Sequence, residues 1–228
     1  MVQESEIDIR ARQIAFEVLF ADLEKKNGVN FVKQTEFLGC KIEELLSELG
    51  NGIINFGQID MENAEIFRDR LSKTTLWTYP PKGLLKLLVP SQRAVAGLTM
   101  ADAKNNPLII VPNGLSPDEL KNVTYSAEQQ CQPSENIDKV IEVASRFIQR
   151  RLLSHELIHV LRGDYLGMKN KPLPQRLIED SIDYFAMKSN GWVREKPANL
   201  INFERLLGNE DLAKRIILTN NTSGFTYS

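Results

Sequence analysis

Both histidines of this chain lie in one short segment, His155-Glu156-Leu157-Ile158-His159. On a helix, residues four positions apart lie on the same face, so the two imidazoles can reach a common point. Imidazole nitrogens suit Zn²⁺, and a glutamate beside such a pair can act on a water held by the metal. The spacing therefore predicts a zinc site with His155 and His159 as ligands and Glu156 as the general base. The alternative is a pair of histidines that are partners on a polar helix face.

The surroundings of this segment favour the metal. Strong helical periodicity leads into it, and we expect one long helix that ends at Gly163. The histidines stand there among apolar residues such as Leu153, Leu157 and Val160. Polar side chains are costly to bury among such neighbours unless a partner satisfies them, and a bound metal would do so.

A catalytic zinc site needs a third protein ligand and one open position for water. Because the chain has no third histidine, we expect a carboxylate, or less often a tyrosine or cysteine. Asp164, in the turn after the helix, is one candidate. Glu179 on the next helix is the favoured one, with Asp180 as its nearest rival. Asp183, one turn beyond Glu179, is predicted to hydrogen-bond a ligand histidine from behind. The other reading of these acids is a solvated acidic face.

The segment 155–186 resembles the gluzincin class of zinc peptidases. In that class, HExxH on one helix is completed by a glutamate on the next, often within an E-x-x-A-D or E-x-x-A-N-x-F-A pattern. The corresponding segment of this chain is Glu179-Asp180-Ser181-Ile182-Asp183-Tyr184-Phe185-Ala186. It departs from the pattern at Ile182, where the pattern has alanine. Residues 1–135 do not indicate a subfamily.

The resemblance implies a zinc metalloprotease with His155, His159 and Glu179 as ligands and Glu156 as base. Zinc would lower the pKa of a water towards 7, and Glu156 would move its proton to the leaving amine. The resemblance also implies a small sheet before the active helix, whose edge strand binds an extended peptide. Leu108–Val111 is the candidate for that strand, and the alternative is an ordinary core strand.

An α+β fold is expected, with a helical N-terminal region over residues 1–75 and a zincin-like domain over residues 76–228. The two regions are able to pack as one unit. The expected helices of the first region begin near Ile7, near Phe37 and at Met61, with Asp60 as the N-cap of the third. Gly50-Asn51-Gly52 is expected to end the second helix.

The second region is predicted to begin with short strands and to finish with helices. Apolar runs of about five residues between Pro and Gly indicate strands, and a loop is expected from Pro112 to Pro133. The expected strands are Leu84–Val89, Ala94–Leu98 and Leu108–Val111. Besides the HELIH helix, the expected helices are Pro174–Asn190 and Ala198–Thr219, the latter broken at Gly208-Asn209.

Composition limits the class of protein. A net charge of −2 gives no electrostatic argument for nucleic acid, and no apolar run is long enough to span a membrane. The N-terminus, MVQESEIDIRARQ, lacks the features of a secretory signal. Cys40 and Cys131 lie 91 positions apart without a CxxC spacing, and we expect reduced thiols. A cytoplasmic protein is therefore expected, although export by machinery that reads other signals would give the same composition.

Three functions are compatible with these residues. The favoured one is a zinc peptidase that acts on a peptide or protein substrate. The second is a regulatory or protein-binding module with a peptidase-like core, in which zinc is structural or absent. Glu156 argues against this second function, because a structural zinc site has no use for a base. The third is an exported protease that cuts one target protein, and the sequence does not separate it from the first.

Overall fold

A computed structural model describes residues 6–57, 59–81, 84–87, 94–167 and 173–221 of the chain. Within these residues the predicted α+β fold is confirmed, with eight helices packed around a small mixed sheet. The helices are α1 (Glu6–Asn27), α2 (Ile42–Gly57), α3 (Met61–Lys73), α4 (Pro117–Gln130), α5 (Ile137–Arg162), α6 (Gln175–Ser189), α7 (Ala198–Leu207) and α8 (Glu210–Thr219). The strands are β1 (Val32–Lys33), β2 (Glu36–Phe37), β3 (Cys40–Lys41), β4 (Thr75–Tyr79), β5 (Leu85–Lys86), β6 (Ala94–Val95), β7 (Leu98–Ala101) and β8 (Pro107–Pro112).

The main sheet has the strand order β1-β4-β8-β7. Strands β4 and β8 run parallel, and each outer strand is antiparallel to its neighbour. Since β8 lies inside the sheet, the prediction that Leu108–Val111 forms the edge strand is wrong, and the core-strand alternative is correct. A continuous apolar run is typical of a strand that is buried on both faces, as β8 is from Pro107 to Val111. The edge strand on this side is β7.

The other predicted strands are shorter than expected. The run Ala94–Leu98 is divided between β6 and β7, and the chain turns between them at Ala96 and Gly97. Leu84–Val89 forms a strand only at Leu85–Lys86, and its last two residues lie outside the described part of the chain. Strands β5 and β6 pair as a small antiparallel ribbon.

The second helix differs from its prediction at both ends. It begins at Ile42 and continues through Gly50 and Gly52 to Gly57, so the expected stop is wrong. The reason is packing rather than backbone preference. A Cβ at position 50 would overlap the side chain of Leu71 on α3, so glycine allows α2 and α3 to approach closely. Tertiary contacts of this kind override the low helix propensity of glycine.

The predicted loop from Pro112 to Pro133 is also wrong, because α4 occupies most of it. Helix α4 begins with a capping box: the Ser116 hydroxyl accepts from the Glu119 N–H, and the Glu119 carboxylate accepts from the Ser116 N–H. Pro117 at the first helical position fits the same start signal.

The remaining helix predictions are confirmed. Asp60 caps α3, Gly163 ends α5 with φ 75°, and α7 and α8 are separated at Gly208. Helix α1 is present and packs through Phe20 and Leu23, whereas its residues Ile14, Val18 and Leu19 are exposed.

Helices from both ends of the chain share the main hydrophobic core. Leu45 of α2 and Phe67 of α3 pack in one cluster with Leu157 of α5, Ile182 of α6 and Ile217 of α8. Cys40 and Cys131 are free thiols. Among the described residues, no helix is long and apolar enough to cross a bilayer.

Candidate metal centre

Helix α5 places the HELIH segment in the most buried part of the molecule. Its 26 residues contain no glycine or proline, Asn136 caps its start, and Gly163 ends it in the left-handed conformation. Arg70 of α3 donates to the carbonyl oxygens of Val160 and Leu161 and so satisfies acceptors that the helix end leaves open. The face that carries the histidines is therefore fixed by helix ends and by packing.

Helix α6 supplies the acid. Ile178 and Ile182 are buried against the core, and this burial turns Glu179 towards the histidine face of α5. The ligand atoms of His155, His159 and Glu179 all lie within 4.8 Å of one another.

These three atoms form a nearly regular triangle. His155 Nε2 and His159 Nε2 are 3.3 Å apart, and Glu179 Oε2 lies 3.5 Å from the former and 3.7 Å from the latter. In a tetrahedral zinc site with bonds of about 2.0–2.1 Å, neighbouring ligand atoms are roughly 3.3–3.4 Å apart. The triangle therefore matches three corners of such a site with little movement, and the fourth corner is left for water or substrate.

The chemistry of the donor set also calls for a cation. The Nδ1 atom of each histidine faces a carboxylate, which favours a proton on Nδ1 and leaves the Nε2 lone pair pointing at the triangle. Two imidazole lone pairs and a carboxylate oxygen then meet with no hydrogen-bond donor between them. Such a group is stable only when a metal ion or protons lie among the three atoms.

The carboxylates around the two histidines favour protonated imidazoles. Burial alone would lower the pKa of His159, but Asp164, Glu179 and Glu156 more than offset it and raise the pKa to about 10. The pKa of His155 is raised in the same way by Asp183 and Glu179. Burial would raise the pKa of Glu179, yet its contacts with the two histidines hold that pKa well below its usual range.

Asp183 lies behind His155. Its Oδ1 atom is 3.7 Å from His155 Nδ1, which is longer than a hydrogen bond but close enough for its charge to act. Arg151 and Arg194 both donate to this carboxylate. Although burial would raise the pKa of Asp183, its contacts with His155 and the two arginines hold that pKa well below its usual range.

Asp164 lies behind His159 in a short 3₁₀ turn, Asp164–Leu166. Its Oδ2 atom is 2.8 Å from His159 Nδ1 and also accepts from Arg162 Nε at 2.8 Å. The guanidinium of Arg162 is almost fully buried and reaches α8, where it donates to the Ile217 carbonyl oxygen and to Asn220 Oδ1. Asp164 is thus placed to orient His159 and lies outside the group of three side chains.

Glu156 is buried beside the triangle and is held from the sheet. The hydroxyl of Thr99 on β7 donates to Glu156 Oε2 at 2.7 Å. Gly97, just before β7, lies so close that a Cβ there would be 2.5 Å from Glu156 Oε1. The charge of Glu156 acts on both histidines. The carboxylate therefore lies near the triangle without belonging to it.

The structure thus brings His155, His159 and Glu179 together and places Asp183 behind one of them. Asp180, the rival ligand, instead accepts from the Asn199 side chain at 2.7 Å and is outside the group. Sequence reasoning missed the orienting position of Asp164, although this residue lies only five positions after His159.

Sequence reasoning also missed Gly97 and Thr99. Thr99 of β7 and Glu156 of α5 are 57 positions apart in the sequence, and no local sequence pattern predicts their contact.

Comparisons of the chain with protein-family models, with curated proteins and with solved structures gave no match in any of the three. The likeness to gluzincins therefore rests on segment 155–186.

Proposed function

We propose that this protein is a zinc-dependent peptidase in which His155, His159 and Glu179 hold the metal and Glu156 is the general base. The observation that carries the proposal is the triangle of three electron-rich atoms, whose edges of 3.3–3.7 Å fit three corners of a zinc site. A structural site is normally closed by four protein ligands. Here the described residues supply three, and a separate carboxylate lies beside them.

The chain's own residues divide the work of amide hydrolysis. When bound, zinc supplies a Lewis acid that makes water nucleophilic near neutral pH. Glu156 accepts a proton from the attacking water and passes it to the leaving nitrogen. Thr99 and Gly97 keep the Glu156 carboxylate in one orientation during this transfer. By the gluzincin resemblance, an extended peptide would lie along the edge strand, which is β7 in this chain.

Metal content and peptide hydrolysis, measured together, test the proposal. The purified protein should contain one zinc per chain by elemental analysis, and His155→Ala should lose it. The zinc-loaded protein should cleave members of a peptide library. Glu156→Gln should keep the zinc and lose at least about a hundredfold in kcat, the usual contribution of a general base.

Two results would contradict the proposal. If the protein takes up no zinc under metal-replete conditions, the two histidines have a packing role instead. Stoichiometric zinc without hydrolysis, in the wild type as in Glu156→Gln, would support the regulatory or binding module instead.

A further inference from the structure

A cavity of about 300 Å³ lies between α4 and α5. Its wall is mainly apolar and includes Tyr79, Leu115, Ile148 and Leu152. This volume is at the lower end of the range of about 300–1,000 Å³ for ligand pockets, so it suits one long side chain rather than a whole peptide.

The cavity borders the proposed base. Leu152 precedes Glu156 by four residues on α5, and the two therefore lie on one face, a single turn apart. Ala96, in the cavity wall, is followed by Gly97, which contacts the Glu156 carboxylate. A side chain in the cavity would therefore belong to a residue close to the bond that is cleaved.

The polar part of the wall is acidic. Asp118 and Glu119, in the first turn of α4, both line the cavity, and among its described lining residues there is no lysine, arginine or histidine. Glu119 is engaged in the capping box, yet its charge still reaches the cavity and, together with burial, raises the pKa of Tyr79. Asp118 makes no hydrogen bond or ion pair within the described part of the chain and remains open to a ligand.

We infer that this cavity selects a basic side chain, lysine or arginine, in the substrate, with Asp118 as the specificity-determining residue. The inference rests on the proposed peptidase function. The aliphatic stem of such a side chain would pack on Ile148 and Leu152, and its charged end would reach the acids at the rim, as long basic side chains commonly do.

Acids in a first helical turn also stabilise the helix dipole, so helix stability alone would account for Asp118. Asp138 separates the two roles. It is likewise an exposed acid in a first helical turn, that of α5, but it does not line the cavity. Asp138→Lys is therefore the matched control for Asp118→Lys, with the same change of charge.

The first experiment is cleavage profiling of zinc-loaded protein on a library of natural peptides. The wild type should favour lysine or arginine about fivefold at one position beside the cleaved bond, because partly exposed ion pairs are weak. Asp118→Lys should shift that preference to aspartate or glutamate, and Asp138→Lys should keep the wild-type preference. Cleavage without a basic preference, or a preference that Asp118→Lys leaves unchanged, overturns the inference.

The second experiment is independent of hydrolysis. N-acetyl-lysine methylamide and its norleucine analogue differ only in the terminal ammonium group, and both are titrated into methyl-labelled protein. The lysine probe should shift the NMR signals of Leu115, Ile148 and Leu152 at severalfold lower concentration, and Asp118→Lys should abolish this difference. Equal shifts by both probes, or none, overturn the inference. Selective binding by a protein that cleaves no peptide would refute the peptidase function and leave the basic selectivity standing.

Discussion

Gly97→Ala tests whether the sheet positions the base. A methyl group at this position would lie 2.5 Å from Oε1, 2.9 Å from Cδ and 3.0 Å from Cγ of Glu156. Gly97 does not have a positive φ, so alanine brings no backbone strain of that kind. The perturbation is therefore a steric push on one carboxylate.

The size of the effect follows from that contact. An ordinary contact is at least 3.4 Å, so Oε1 must retreat by about 0.9 Å. Glu156 is buried, and its Oε2 atom accepts a hydrogen bond from Thr99. A displacement of the carboxylate would therefore also weaken this hydrogen bond. A misplacement of about 1 Å in a catalytic group can cost roughly a hundredfold in rate. We expect kcat to fall by about that factor with little change in KM, since ground-state binding of the peptide does not depend on the base.

The assay combines steady-state peptide hydrolysis with zinc analysis and thermal melting. Gly97→Ala should keep one zinc per chain, because the three ligands are not displaced, and should lose stability by about 1–3 kcal/mol from overpacking. Gly52→Ala is the control: its Cβ would make an ordinary 3.5 Å contact with the Ser189 carbonyl oxygen and would not contact Glu156. A Gly97→Ala variant with wild-type kcat would refute the positioning of Glu156 by Gly97.

Three further outcomes are expected. Thr99→Val should lower kcat about tenfold at constant zinc content, because its side chain cannot donate a hydrogen bond to Glu156. Thr99→Ser keeps the hydroxyl and should have the wild-type kcat. Equal losses of kcat in both variants would indicate a packing role for Thr99. Zinc binding should release at least one proton at pH 7.5, measured by calorimetry in buffers of different ionisation enthalpy. The reason is that His159, with a pKa of about 10, must lose a proton to bind metal. Release of this proton should disappear when the pH is above the pKa of His159. Zero release at pH 7.5 would contradict this. Gly50→Ala should lower the free energy of unfolding by about 1–3 kcal/mol in chemical denaturation, because its Cβ would overlap a leucine of α3. Gly52→Ala should raise this free energy by about 0.5–1 kcal/mol. A change of the same sign in both variants would refute the packing argument.

The grouping of His155, His159 and Glu179 could be predicted from local periodicity. The four-residue spacing places both histidines on one helix face, and Glu179 follows on the next amphipathic helix. The structure adds the distances, which depend on how α5 and α6 pack. The role of Asp164 could not be predicted in this way, because its position after Gly163 fits either a metal ligand or an acid that orients a histidine. The conformation of the 3₁₀ turn places its carboxylate at Nδ1 of His159.

The two errors in the predicted helices have different physical origins. Gly50-Asn51-Gly52 is typical of a helix end, but the absence of a side chain at Gly50 serves a close contact between α2 and α3. The polar segment after Pro112 has the composition of a loop, yet Ser116 and Glu119 form a capping box, a helix-start signal that the sequence itself contains. The first error needs tertiary structure to correct, whereas the second does not.

The end of α5 that carries His159 is held from both ends of the chain. Arg70 of α3 binds its last carbonyl oxygens, and Arg162 ties Asp164 to the end of α8. The Arg162 guanidinium is buried and would be costly there without partners, so its hydrogen bonds favour this arrangement of the helix end. The geometry of the proposed metal ligands therefore depends on α3 and α8 as well as on the HELIH segment. Through Arg70, helix α3 contacts the helix end that follows His159, although it supplies no proposed ligand.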